Sequence, residues 1–310
     1  MTAAQVRCPL ARPKFWGAIV LALTRLSPSI VKIIGMGNFS SDHASGTGTR
    51  DHRLGAASKV PAATTVFWIT KALTTGMGES ASDYLVHRFS PAAAVAVGFV
   101  ASCAALALQF RAPRYVPWIY WLSVAMVGVF GTMAADVLHF GLGIPYAIST
   151  AVFVLGLAAV FIVWFRVERT LSIHSITTQR REVFYWLAIV TTFALGTALG
   201  DLTAITLHLG YWQSGVTFAV VMLVPAIAYW RFHLDPIVAF WCAYVVTRPL
   251  GASFADWMGV SRSRSGLDLG AGSVSLSLIV LIVCFVIAQT IAADDAAIRL
   301  LGISIAEGQQ

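Results

Sequence analysis

The chain has 310 residues, of which 58% are hydrophobic and only 11% charged, and its mean hydropathy is +0.77. So few charged groups cannot cover a water-facing surface of this size, which excludes a soluble enzyme, a disordered protein and a nucleic-acid binder. The net charge of +7 sits in short loops between apolar runs, as in a membrane protein that fixes its orientation with arginines.

Residues 1–58 read as an N-terminal extension. Arg7, Arg12 and Lys14 precede an apolar stretch, residues 15–23, that is too short to span a bilayer, and no small-residue cleavage site follows closely. Gly, Ser, Thr, Asp and His then dominate residues 37–58, the composition of a flexible linker. A signal peptide, a surface-lying helix and an over-extended start upstream of the domain are the alternatives for this segment.

Eight windows have the length and apolarity of a transmembrane helix: residues 61–86, 91–110, 117–139, 144–165, 183–208, 213–231, 236–258 and 273–293. They predict an all-α polytopic membrane protein over residues 59–295, followed by a short cytoplasmic tail, 296–310. Pro61, Pro91, Pro117, Pro145 and Pro236 stand near helix starts, where a missing N–H costs nothing. Pro225 and Pro249 fall inside their windows and predict a kink or local break there. Arg111, Arg114, Arg166, Arg169, Arg180, Arg181 and Arg231 lie in the loops after the second, fourth and sixth windows, against Arg88, Arg262 and Arg264 on the other side. That bias places both termini in the cytoplasm. Cys8, Cys103, Cys242 and Cys284 form no spaced pair and read as small buried hydrophobes.

The first, third, fifth and seventh windows share one pattern: Trp, nine residues, Gly, four residues, Asp. It occurs at Trp68, Gly78 and Asp83; at Trp121, Gly131 and Asp136; at Trp186, Gly196 and Asp201; and at Trp241, Gly251 and Asp256. Identical spacing four times among 10 tryptophans marks an internal repeat. The repeats run over about 59–111, 112–166, 180–232 and 235–293, each a helical hairpin. An even number of spans per repeat makes the four copies parallel. The four aspartates then share one depth near the outer helix ends, about 22 Å from the tryptophans at the inner ends. The tryptophans read as interfacial anchors, and the repeated glycines as helix-contact positions.

On these four patterns, most clearly residues 67–85 with the sequence FWITKALTTGMGESASDYL, the chain resembles a family of uncharacterised bacterial membrane-anchored proteins. These are built from four tandem repeats, each with two transmembrane segments and a characteristic tryptophan. The resemblance spans residues 59–293. It implies the eight-helix architecture and the bacterial inner membrane, and it brings no activity with it.

The buried charges therefore carry the functional argument. A carboxylate inside a bilayer costs at least about 2.5–3.5 kcal/mol, and such residues normally face a wet cavity or the bundle interior. An Asp late in a helix also opposes the macrodipole, so capping does not explain it. Asp83, Asp136, Asp201 and Asp256 are candidates for a cation or substrate pathway, and a ring of four would need a proton or a cation among them. As oxygen donors they are also candidate ligands for a hard divalent metal. Glu79, Thr132 and Thr197 follow the repeated Gly and stand four residues before their Asp, on the same helix face. Lys71 and Arg248 are candidate counter-charges. No ATP-binding loop, zinc-protease or serine-hydrolase motif occurs, so no enzymatic activity and no cofactor is expected. The leading reading is an inner-membrane transporter or channel for a cation, H⁺ or a hard divalent metal. An accessory subunit binding a partner protein, or an intramembrane enzyme with paired Asp residues, are the alternatives. The partners expected are the lipid bilayer, the cation, and a second copy or a partner protein.

Overall fold

The computed structural model describes residues 58–307, with side chains through residue 291. Apart from Ser58, the extension expected over residues 1–58 lies outside the described residues. Among them are eight long helices: α1 Thr65–Arg88, α2 Pro91–Arg111, α3 Pro117–Asp136, α4 Tyr146–Glu168, α5 Gln179–Asp201, α6 Gly210–Phe232, α7 Pro236–Gly259 and α8 Ala271–Glu307. Thr64, Ser90, Thr178 and Asp235 cap α1, α2, α5 and α7 by accepting backbone N–H bonds through their side chains. Pro91, Pro117 and Pro236 occupy first turns. The helices α6 and α7 run through Pro225 and Pro249 without a break. The last helix does not stop at residue 295, where the sequence suggested a separate tail. It continues to Glu307 through Ala292, Ala293, Ala296 and Ala297, all strong helix formers.

Among the described residues seven helices are long and apolar enough to cross a membrane, and the chain is a multi-pass integral membrane protein. The exception is α1, which keeps its polar residues inside. Thr70, Lys71, Thr74, Thr75, Glu79 and Ser82 are all buried. Conversely, Val97, Val100, Leu155, Val220 and Leu276 on the even-numbered helices are exposed, the face such helices present to lipid.

The odd-numbered helices form a closed inner ring, with α1 on α3, α3 on α5, α5 on α7, and α7 back on α1. The even-numbered helices lie outside. Each packs chiefly on the inner helix of the following repeat: α2 on α3, α4 on α5, α6 on α7, and α8 on α1. The two helices of a repeat are joined covalently yet touch each other little. Every repeat is therefore interlocked with the next, and the fourth closes on the first.

Two contact sets repeat around this ring. The residue before each Trp is an axial aromatic, and it meets its own Trp edge-on: Phe67 with Trp68, Tyr120 with Trp121, Tyr185 with Trp186 and Phe240 with Trp241, at 5.2, 5.1, 5.5 and 5.3 Å between ring centroids. The same aromatic also meets the Trp of an adjacent repeat: Phe67 with Trp121, Tyr120 with Trp186, Tyr185 with Trp241 and Phe240 with Trp68, at 5.7, 5.8, 6.1 and 5.6 Å. Such pairs contribute about 0.5–1.5 kcal/mol each beyond area burial. The result is a collar of eight rings at the Trp end. Trp121, Trp186 and Trp241 are buried in it, which corrects the expectation of interfacial anchors. They face neighbouring repeats because the axial aromatics offer them ring edges and faces.

The second set involves the repeated glycines. A side chain at Gly78 would meet Gly128 of α3, one at Gly131 would meet Phe193 of α5, one at Gly196 would meet Arg248 of α7, and one at Gly251 would meet Thr75 of α1. Each glycine makes room for the equivalent position on the next inner helix.

Long-range polar links fasten the Trp end. The buried Glu182 accepts from Lys59 Nζ at 2.7 Å and from Gln109 Nε2 at 2.9 Å. On α8, Gln289 Nε2 donates to Thr70 Oγ1 at 3.2 Å while its Oε1 accepts from Trp121 Nε1 at 3.1 Å and from the Tyr115 hydroxyl at 3.4 Å. This ties the last helix to the first two repeats. Gln289→Leu is expected to cost about 1–3 kcal/mol, because the Trp121 N–H loses its acceptor. A thermal midpoint in detergent equal to that of the parent would reject the clamp.

Candidate functional site

Along the ring axis, four-residue steps on each inner helix stack side chains in layers. Beyond the collar lie Lys71, Val124, Ile189 and Tyr244, then Thr75, Gly128, Phe193 and Arg248, then Glu79, Thr132, Thr197 and Ala252. All are buried. The aspartates form the next layer, and Asp83, Asp136, Asp201 and Asp256 are each partly exposed. The axis is closed at the Trp end and opens at the Asp end.

The Glu79 layer holds a buried ionic lock. Glu79 Oε2 accepts from Arg248 Nη2 at 2.9 Å, from Thr197 Oγ1 at 3.0 Å and from Thr132 Oγ1 at 3.3 Å. Arg248 Nη1 donates to the Thr75 carbonyl at 2.9 Å, and Nη2 also donates to the hydroxyls of Thr132 and Thr197. Its guanidinium lies 4.9 Å from the centre of the Phe193 ring. Three repeats thus supply Glu79, Thr132 and Thr197, and the fourth supplies Arg248 from one turn earlier. Ala252 leaves that space free. The asymmetry among the repeats is the chemistry of the lock.

Lys71 is placed otherwise. It was expected as a counter-charge, yet its Nζ forms no ion pair or hydrogen bond among the described residues. It sits between two rings, 4.3 Å from the centre of Phe193 and 4.2 Å from that of Tyr244. The carboxylate nearest in register, Glu79, is taken by Arg248, so aromatic faces solvate the lysine instead.

The four aspartates form no ion pair among the described residues. Asp256 stands within electrostatic reach of the other three and of Glu79. Yet among the described residues no three His, Cys, Asp or Glu side chains gather closely enough to hold a metal ion. The expected metal centre of Asp83, Asp136, Asp201 and Asp256 is therefore not assembled: the carboxylates belong to four separate helices around an open mouth. The histidines do not complete one either. His87 Nδ1 donates to the Asp83 carbonyl at 2.6 Å, and His139 Nδ1 to the Ile144 carbonyl at 2.8 Å. Asp136 and Asp201 are the last α-helical residues before π-helical turns, Val137–Gly141 and Leu202–Thr206, a feature frequent at functional sites. At the mouth, Arg264 Nη2 donates to the Tyr211 hydroxyl at 2.5 Å, and Tyr211 lies near Asp201 and Asp256.

Thr75, Phe193, Tyr244, Tyr211 and Arg264 escaped the sequence reading as site residues, Arg264 having entered it only as a loop charge. The stride of four that links Lys71, Thr75, Glu79 and Asp83 was available to find the first three. Nothing local pointed to Arg264, which reaches the mouth from a loop.

A family described as Repeat of Unknown Function (DUF347) matches the chain four times, over residues 66–115, 119–170, 184–234 and 239–294. No curated protein and no solved structure matches it.

Proposed function

The chain belongs to this family of a repeat of unknown function, and from that premise we propose that it is a cation transporter of a bacterial inner membrane, with both termini cytoplasmic. The observation that carries the reading is the course of the axis: four aspartates around an open mouth, followed by the Glu79–Arg248 lock and a closed collar. An acidic, low-dielectric mouth concentrates cations. Lys71 and Arg248 beyond it oppose free passage of a cation along the axis, as fixed positive charges do in selective pores. This favours a transporter that rearranges its repeats over a continuously open channel. In such a cycle Thr132 and Thr197 are the groups that exchange partners when Arg248 releases Glu79. No bond-making step and no cofactor enters this reading.

The test is flux of H⁺, Na⁺, Mg²⁺ and Mn²⁺ in liposomes, comparing the parent with the Asp83, Asp136, Asp201, Asp256→Asn variant. Flux of one cation in the parent, reduced at least about tenfold in the variant, is the expected result. An unimpaired variant sinks the proposal. Absence of flux in both, with the variant less heat-stable, makes the aspartates a structural element of a subunit that serves a partner protein.

A further inference from the structure

Outside the axis, a cleft of about 420 Å³ opens at the Asp end between α1, α2 and α3. Asp83 from α1 and Asp136 from α3 both line it, and its walls are otherwise mostly carbon, with Val86, Val95, Met133 and Phe140 prominent. The volume falls within the range of about 300–1,000 Å³ common for small-molecule sites, which pair apolar walls with a few convergent polar groups. From this geometry we propose that the cleft binds an organic ammonium ion with an apolar body, its charge between Asp83 and Asp136. As a binding site it stands alone; as the substrate class of the transporter it rests on the preceding proposal.

Three features select this ligand over an inorganic cation. Hard metal ions take about six or more oxygen donors, whereas this cleft supplies two carboxylates, and its one histidine, His87, has committed Nδ1 to a backbone carbonyl. Neither carboxylate has an ion-pair partner among the described residues. Carbon walls contribute nothing to a hydrated ion but do remove the body of an organic cation from water. The outer helices also differ in how they start at this end of the ring. There α2 begins with Pro91, Ala92 and Ala93 and α8 with Ala271 and Gly272, whereas α4 begins with Tyr146 and α6 with Gly210 and Tyr211, both tyrosines being buried. Those rings lie near Asp136, Asp201 and Asp256, and His139 stacks on Tyr146 with 3.5 Å between centroids. Ala92 and Ala93 of α2 carry no ring at these positions.

The same chemistry is offered by a free amine and by the headgroup of an aminophospholipid. The probe is 4-phenylbutylamine, titrated against the full-length protein in phosphatidylcholine nanodiscs, with 4-phenylbutanol as the uncharged control. Saturable binding of the amine is expected, at least tenfold weaker for the alcohol and for Asp83→Asn, Asp136→Asn and the cleft-filling Val95→Phe. Asp201→Asn and Asp256→Asn, which remove charge from the mouth but not from the cleft wall, should weaken binding clearly less than Asp83→Asn or Asp136→Asn. If phosphatidylethanolamine in the nanodisc competes with the amine, the natural occupant is the lipid headgroup; if it does not, a free amine. Equal binding of amine and alcohol overturns the proposal, as does an equal loss from all four Asp→Asn variants, which would mean general attraction to the mouth. Amine binding without flux of any cation in liposomes leaves the site standing and rejects transport. Inorganic cation flux without amine binding does the reverse.

Discussion

Replacing Arg248 by Met is expected to destabilise the protein by about 3–5 kcal/mol, because it strands the Glu79 carboxylate in the ring core with only two hydroxyls to face it. Arg248 and Glu79 are both buried, so water cannot take the place of the lost guanidinium. Breaking a buried pair from one side differs from deleting it. The Arg248→Met, Glu79→Leu double variant removes both charges and keeps the volume, and it should recover most of the loss. Thermal unfolding in detergent, with monodispersity as a second readout, checks both. An Arg248→Met variant within about 1 kcal/mol of the parent would show that the lock is weak. If the double variant folds well but carries no cation, the pair belongs to the transport cycle and is not needed to build the ring.

What the sequence made legible follows from what spacing can encode. A fixed interval of Trp, Gly and Asp on helical windows reports register, so the four parallel copies, the common depth of the aspartates and the shared face of Glu79, Thr132 and Thr197 could be read directly. Spacing says nothing of which helix a face meets. That α2 packs on α3, and that α8 returns to α1, depends on pairing across repeats and was hidden. The tryptophans show the difference. Their position at the helix ends suggested a lipid interface, but Phe67, Tyr120, Tyr185 and Phe240 stand immediately before them. That second aromatic in every repeat was a visible sign that the rings stack on each other. Lys71 shows the converse limit: its depth was legible, but its partner is a pair of rings from α5 and α7, which no local pattern announces.

Gly196→Ala is expected to cost about 3–5 kcal/mol, although Ala in a helix interior is favoured over Gly by about 0.8–1.0 kcal/mol. A methyl group there would come within 2.6 Å of Arg248 Cβ and closer still to its Cγ, with the Arg248 backbone carbon at 3.2 Å. A flexible tip can swing aside, but Cβ and the backbone cannot. Overpacking alone costs about 1–3 kcal/mol, and pushing α7 outward also draws Arg248 from Glu79. Gly251→Ala meets Thr75 Cβ at 2.7 Å and the Gly76 nitrogen at 3.0 Å and should behave alike. Gly78→Ala faces only the Gly128 backbone, from 3.0 Å outward, and should cost less. Gly156 of α4 supplies the control. A methyl there finds nothing nearer than Thr191 Cγ2 at 3.7 Å, so Gly156→Ala should be neutral or stabilising by up to about 1 kcal/mol. Thermal midpoints of the four variants measured together test the order. In an Arg248→Gly background the added cost of Gly196→Ala should fall to about 1 kcal/mol or less, because the Cβ and Cγ atoms are gone and only the backbone carbon at 3.2 Å remains. An undiminished cost there would mean that Gly196 is needed for a backbone movement of its own helix and not for the approach of its neighbour.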